Sequence, residues 1–245
     1  MVIVNVNVIV DINNLIPQHA RHIGDVQPSV TLLGDELGEV DLPLALHLDD
    51  EMSIADFNPY IADGYCKTVY DAIEFSKALG ITRLNMHLSR GAKYTLPDRV
   101  IYFFEAYEQD YLERIRTFRD ECEKRIGDAD ITICVENTAG FLPFQQRAVE
   151  TLLESPVFGL TFDIGHNYCS GNMDEAFILS HKDRLKHFHI HDCVEGKKDH
   201  RTLGTGELDI PGYMALAENC NCTVVLETKT FDALRESMAW LREEK

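Results

Sequence analysis

Four apolar runs of this chain carry side chains able to hold a metal ion at or near their ends. Ile131-Thr132-Ile133-Cys134-Val135 leads into Glu136, and Gly159-Leu160-Thr161-Phe162 leads into Asp163. His187-Phe188-His189-Ile190-His191-Asp192 brings three imidazoles, and Thr223-Val224-Val225-Leu226 leads into Glu227. One carboxylate in such a place is ordinary. Several aimed at one point would repel each other strongly, and a divalent cation removes that repulsion. Carboxylate oxygens with an imidazole suit Mn2+, Mg2+, Co2+ or Zn2+ and leave coordination positions for a substrate. His187, His189 and His191 share one face of a strand by its period of two, so spacing leaves open which of them is the ligand. The other two are expected to make hydrogen bonds around the site or at its rim. Two further runs, Pro43-Leu44-Ala45-Leu46-His47-Leu48 and Thr82-Arg83-Leu84-Asn85-Met86-His87-Leu88, place His47 and His87 in matching positions.

Such scattered residues converge only if the elements aim them at one place. Short β-branched runs separated by helix-length amphipathic stretches read as β-α units, and a parallel sheet directs the C-terminal ends of its strands to one face. Strands are expected at 2–10, 29–33, 43–48, 82–88, 131–136, 157–163, 185–191 and 222–227. Helices are expected near 17–23, 59–79, 98–126, 144–154, 173–181, 211–219 and 231–243. Gly80 is positioned to cap the helix before it, and Pro143 to open the next-but-one helix, where a missing N–H costs least. The alternation predicts a single (β/α)8 barrel domain spanning 1–245, and the 245 residues match the usual size of that fold.

Composition narrows the function. The 41 acidic residues against 23 basic ones give a formal charge of −18, a field that disfavours nucleic acid as a partner. The seven cysteines include no Cys-x-x-Cys pair, which favours reduced core thiols over a disulfide framework. The N-terminal run is broken by Asn5 and Asn7 and lacks a basic leader, and no apolar run approaches a membrane span. A cytoplasmic enzyme is expected, with no membrane partner and with room for a homo-oligomer.

Two loops add polar groups. His166 follows Asp163 in Asp163-Ile164-Gly165-His166, and a longer loop holds Lys197, Asp199, His200, Arg201, Gly204 and Gly206. Gly204-x-Gly206 lacks the spacing and the strand-to-helix context of a dinucleotide loop. Arg90, Lys93 and Lys197 are candidate cations for a substrate phosphate, and solvated surface charges explain them equally well.

Taken together, Val135-Glu136-Asn137-Thr138-Ala139-Gly140, Phe162-Asp163-Ile164-Gly165-His166, His189-Ile190-His191-Asp192, His200-Arg201-Thr202-Leu203-Gly204-Thr205-Gly206 and Leu226-Glu227-Thr228 resemble the xylose isomerase-like TIM-barrel superfamily. That group of sugar and sugar-phosphate isomerases and epimerases includes endonuclease IV. The resemblance runs from about residue 42 to the C-terminus. It implies that Glu136, Asp163, His189 and Glu227 hold one divalent metal and that Glu136 and Glu227 flank the substrate as acid and base. It also implies that His166, Arg201 and His200 face substrate oxygens. Endonuclease IV further resembles the chain at His47 and His87, where it has extra zinc ligands, and at His166 with His200, where it holds a third zinc. That enzyme has Asp-x-His where Asp199 here directly precedes His200, a departure that puts a third metal in doubt.

The activity implied is isomerisation or epimerisation of a small sugar, sugar phosphate or other hydroxy-carbonyl compound through an enediolate. An apurinic-site phosphodiesterase and a sugar-acid dehydratase are the alternatives.

Overall fold

The computed structural model describes residues 8–11, 44–194 and 198–243. They fall into two compact units, one built mainly from residues 9–135 with 142–158, the other from 136–141 with 159–245.

In the first unit, strands β1 (Val8–Asp11), β2 (Leu44–His47), β3 (Arg83–His87) and β6 (Thr132–Glu136) lie side by side in that order. β2 and β3 pair in parallel, with Leu46 opposite Leu84 and His47 opposite Asn85. The helix Pro59–Leu79 starts where Asn58 accepts the Tyr60 N–H at 3.1 Å. It stops at Gly80, whose φ of 69° a side chain would resist. Its buried stripe, Val69, Ala72 and Ile73, faces a core that also holds Tyr111, Phe118, Phe144 and Phe158.

The expected helix 98–126 is shorter and interrupted. A hairpin of β4 (Lys93–Thr95) and β5 (Val100–Tyr102) takes up its start, and helices Phe103–Ala106 and Glu108–Ile126 meet at Tyr107, whose φ of −122° is not helical. The β-branched and aromatic residues Val100, Ile101 and Tyr102 account for the preference for strand there. Pro143 opens the helix Pro143–Leu153 as expected, and Arg147 from it pairs with Glu108.

In the second unit, β7 (Phe158–Asp163), β8 (Leu185–Ile190) and β11 (Thr223–Leu226) are parallel neighbours. The register places Asp163 opposite His189, and His189 opposite Val225. Phe162 and Phe188 sit opposite each other with ring centroids 5.7 Å apart, and Tyr213 packs edge-on against Phe162. A hairpin of β9 (Asp192–Val194) and β10 (Lys198–Arg201) follows β8. Helix Ile164–Cys169, which had no counterpart in the expected pattern, begins directly at Asp163. Cys169 and Cys193 are paired across 24 residues, an exception to the expected reduced thiols, while the other five cysteines remain thiols. Their partnership arises because helix Ile164–Cys169 packs on β9, a contact that sequence separation does not announce.

Seven of the eight expected strands therefore have counterparts among the described residues. The expected helix near 17–23, the strand near 29–33 and the start of the first strand, 2–7, lie outside them.

Candidate metal centre

The second unit brings Glu136, Asp163, His189 and Glu227 together. Each offers a ligand atom, and these atoms all lie within 4.8 Å of one another. Metal bonds of about 2 Å to a shared ion require ligand atoms separated by no more than about 4 Å, so a small inward adjustment lets all four reach one cation. His189 Nδ1 stands 3.2 Å from both Glu136 Oε2 and Glu227 Oε1. Glu136, Asp163 and His189 are at most 1% exposed and Glu227 is 15% exposed, so three carboxylates share a nearly dry space.

Protons on imidazole take up part of that charge. Burial opposes a charged His189, yet Glu136 and Glu227 outweigh it and raise its pKa to about 10. Burial likewise opposes a charged His166, but the hydrogen bond to Glu136 and the charge of Asp163 carry it up to about 9. His200 is raised chiefly by its hydrogen bond to Glu227, against the effect of burial. Burial acts to raise Glu227, and His189 and His200 reverse that, holding it well below the usual carboxylate range. A site that recruits protons to balance its carboxylates is suited to a cation.

Around this group the substrate-facing candidates gather. His166 Nδ1 is 3.7 Å from Glu136 and 3.6 Å from Asp163, and its ring lies 5.3 Å from that of His200. His200 Nε2 reaches Glu227 at 3.3 Å. His166, His191 and His200 form a second group whose ligand atoms are equally close. Arg201 is turned toward its own loop, donating to the Thr205 carbonyl at 3.2 Å. His47 and His87 belong to the first unit, where Asp50 Oδ1 lies 3.5 and 3.4 Å from their Nδ1 atoms. Lys93 is exposed on β4, Arg90 is half-buried in the same unit, and Lys197 lies outside the described residues.

Several residues that position this site stand in the quoted motifs and loops but had no expected part of their own. Asn137 is buried and clamps the backbone of Asp163, donating to its carbonyl and accepting its N–H, both at 2.9 Å. Asp192 ties down the following loop, accepting from Gly206 at 2.8 Å, Cys193 at 2.9 Å and Leu208 at 3.3 Å. Asp199 faces His200 Nδ1 at 3.2 Å and Lys229 at 3.4 Å. The signal available was adjacency, since each of these directly follows or precedes a candidate ligand or substrate-facing residue.

The fold and this cluster of strand-end ligands define a class, and the family comparison names it. The chain belongs to the xylose isomerase-like TIM-barrel family, whose model matches residues 30–244. Solved structures of the same fold include a D-tagatose 3-epimerase-like protein, 19% identical over 88% of this chain and 82% of that one, with a TM-score of 0.71. They also include the 3-keto-D-glucoside 4-epimerase YcjR from E. coli, 16% identical over 88% and 85%, with a TM-score of 0.68. A third is the IOLI protein with a bound zinc atom, 12% identical over 90% and 85%, with a TM-score of 0.65. No curated protein matches this sequence. Among the described residues no helix is long and apolar enough to cross a membrane.

Proposed function

We propose that the chain is a divalent-metal-dependent isomerase or epimerase of a small sugar, sugar phosphate or hydroxy-carbonyl compound, working as a single (β/α)8 domain. The observation that carries this reading is the convergence of Glu136, Asp163, His189 and Glu227 within 4.8 Å. The sugar epimerases among the structures of the same fold support the substrate class, and the zinc-bound relative supports a metal. Mn2+, Zn2+, Mg2+ and Co2+ all fit this donor set.

A cation held by these four residues would supply positive charge to a substrate's carbonyl and hydroxyl oxygens. Glu136 and Glu227, the two glutamates of the cluster, take a proton from that carbon and return it. His166 and His200 donate hydrogen bonds to substrate oxygens, and Arg201 joins them when its side chain leaves Thr205. Burial of Glu136, Asp163 and His189 strengthens the electrostatic interactions they make with a bound cation.

The test is exchange with solvent. A panel of ketoses, their phosphates and hydroxypyruvate is incubated in D2O with metal-loaded protein and followed by NMR. Deuterium uptake at the carbon next to the carbonyl, stopped by a chelator, is the expected result. Incision of abasic DNA without exchange on any panel member would overturn the proposal in favour of the phosphodiesterase. That second reading draws on His47, Asp50 and His87, which offer a further group of ligand atoms. A metal count separates the two, one ion per chain for the isomerase and two or three for the nuclease.

A further inference from the structure

His191 lies two residues after His189, just past the end of β8, and its surroundings give it a different task. Both of its ring nitrogens are engaged. The His200 backbone N–H donates to His191 Nδ1 at 2.8 Å. A backbone N–H can only donate, so Nδ1 accepts and carries no proton; the Asp192 carbonyl, at 3.4 Å, is too distant to compete. The ring proton therefore sits on Nε2. That atom faces Asp163, 3.1 Å from Oδ1 and 3.2 Å from Oδ2, with both residues fully buried.

Two features of the chain exist to keep this arrangement. His200 adopts a φ of 53°, a left-handed conformation that costs a non-glycine residue energy, and it points the His200 N–H at His191. The His200 ring then stacks on His191 at 4.2 Å and 6°. On the other side, Gly165 leaves the space that the imidazole occupies, since a Cβ there would fall on the His191 ring.

Asp163 Oδ1 is already committed to the His166 N–H at 2.6 Å, and Asn137 holds its backbone. His191 supplies the remaining constraint on the carboxylate. We infer that His191 is a positioning residue, not a metal ligand: locked by the His200 N–H in its Nε2–H form, it donates to Asp163 and aims that carboxylate at the cation. This rests on the metal reading above. Imidazole donation to a ligating carboxylate fixes its orientation, and the loss of such partners commonly costs about 10- to 100-fold in metal affinity.

Two substitutions separate the halves of the imidazole. His191→Gln places an amide donor near the Nε2 position, while His191→Asn keeps an acceptor near Nδ1 and cannot reach Asp163. Co2+ titration followed by its visible spectrum reads affinity and coordination geometry together, without any substrate. The expected result is that His191→Asn binds Co2+ about 10- to 100-fold more weakly, with an altered spectrum, while His191→Gln stays within a few-fold of the parent. Equal weakening by both variants would reduce His191 to packing, and parent-like binding by His191→Asn would overturn the role. A second Co2+ in the parent that vanishes in His191→Gln would make it a ligand instead. A parent that binds no Co2+ sinks the metal reading itself, an outcome distinct from these. Imidazole 15N NMR of the parent reads the tautomer independently of any variant: a bare Nδ1 and a protonated Nε2 are expected, and the reverse overturns the inference.

Discussion

Asn137 and Asp163 hold each other at two points, the side-chain amide of one spanning the backbone N–H and carbonyl of the other at 2.9 Å each. Asn137 directly follows β6 and Asp163 ends β7, so this clamp sets the spacing of Glu136 from Asp163. Asn137→Ala would remove both hydrogen bonds to the buried backbone of Asp163, a loss of about 1–3 kcal/mol in folding stability. Urea unfolding checks it. Asn137→Asp should be worse still, because it sets an oxygen against the Asp163 carbonyl and adds a charge to an acidic site.

Glu227→Ala removes the carboxylate that His189 and His200 both face, the fourth member of the proposed metal centre. Metal affinity should drop by more than the roughly 100-fold that losing an outer partner causes. Metal content after equilibration with one equivalent of Zn2+ measures this, and content equal to the parent's would remove Glu227 from the site.

The metal-free protein should lose stability as pH rises. His166 and His189 are raised in the folded state to about 9 and about 10, whereas unfolded histidine titrates near ~6.5. Between those values the folded chain binds more protons than the unfolded one, so the stability these groups add is complete below about pH 6.5 and drains away up to about pH 10. Glu227, depressed, adds stability that persists above the ordinary glutamate range and is lost only in strong acid. Thermal unfolding with EDTA should show Tm falling from pH 7 to pH 9. Saturating metal should flatten that slope, since the cation replaces the protons.

Gly165 sits in helix Ile164–Cys169, where alanine would ordinarily stabilise by about 1 kcal/mol. Here the added methyl collides with His191. Overpacking of about 1–3 kcal/mol outweighs the helical gain, so Gly165→Ala should lower Tm. An unchanged or higher Tm would mean that the ring moves aside without cost.

The parts of the fold that could be read from sequence were those with a strong period. Val135, Phe162 and Leu226 stand in apolar runs that end at a carboxylate, and the structure has strands there. The hairpins were hidden, because Lys93–Thr95 and Lys198–Arg201 are short and polar, with no apolar alternation to betray a strand. Helix Ile164–Cys169 is too brief to show a helical period. Within the site, the membership of Glu136, Asp163 and Glu227 could be read from strand ends. The different surroundings of His189 and His191 could not, because the period of two makes them equivalent and only tertiary hydrogen bonds tell them apart.

β8 carries His187 and His189, and His191 continues that every-second-residue pattern just past its end, which has a cost for folding. A strand slipped by one residue would expose its error at once, turning Phe188 and Ile190 toward the carboxylates. A slip of two would present imidazole to them again, a decoy that polarity alone does not reject. The correct alignment has its own latch: His187 Nδ1 meets Thr223 Oγ1 at 2.6 Å, joining the residues that the register sets opposite each other. His187, farthest from the ligand cluster of the three, thus acts as the strand's ruler, and an apolar residue in its place would leave the two alignments harder for the folding chain to distinguish.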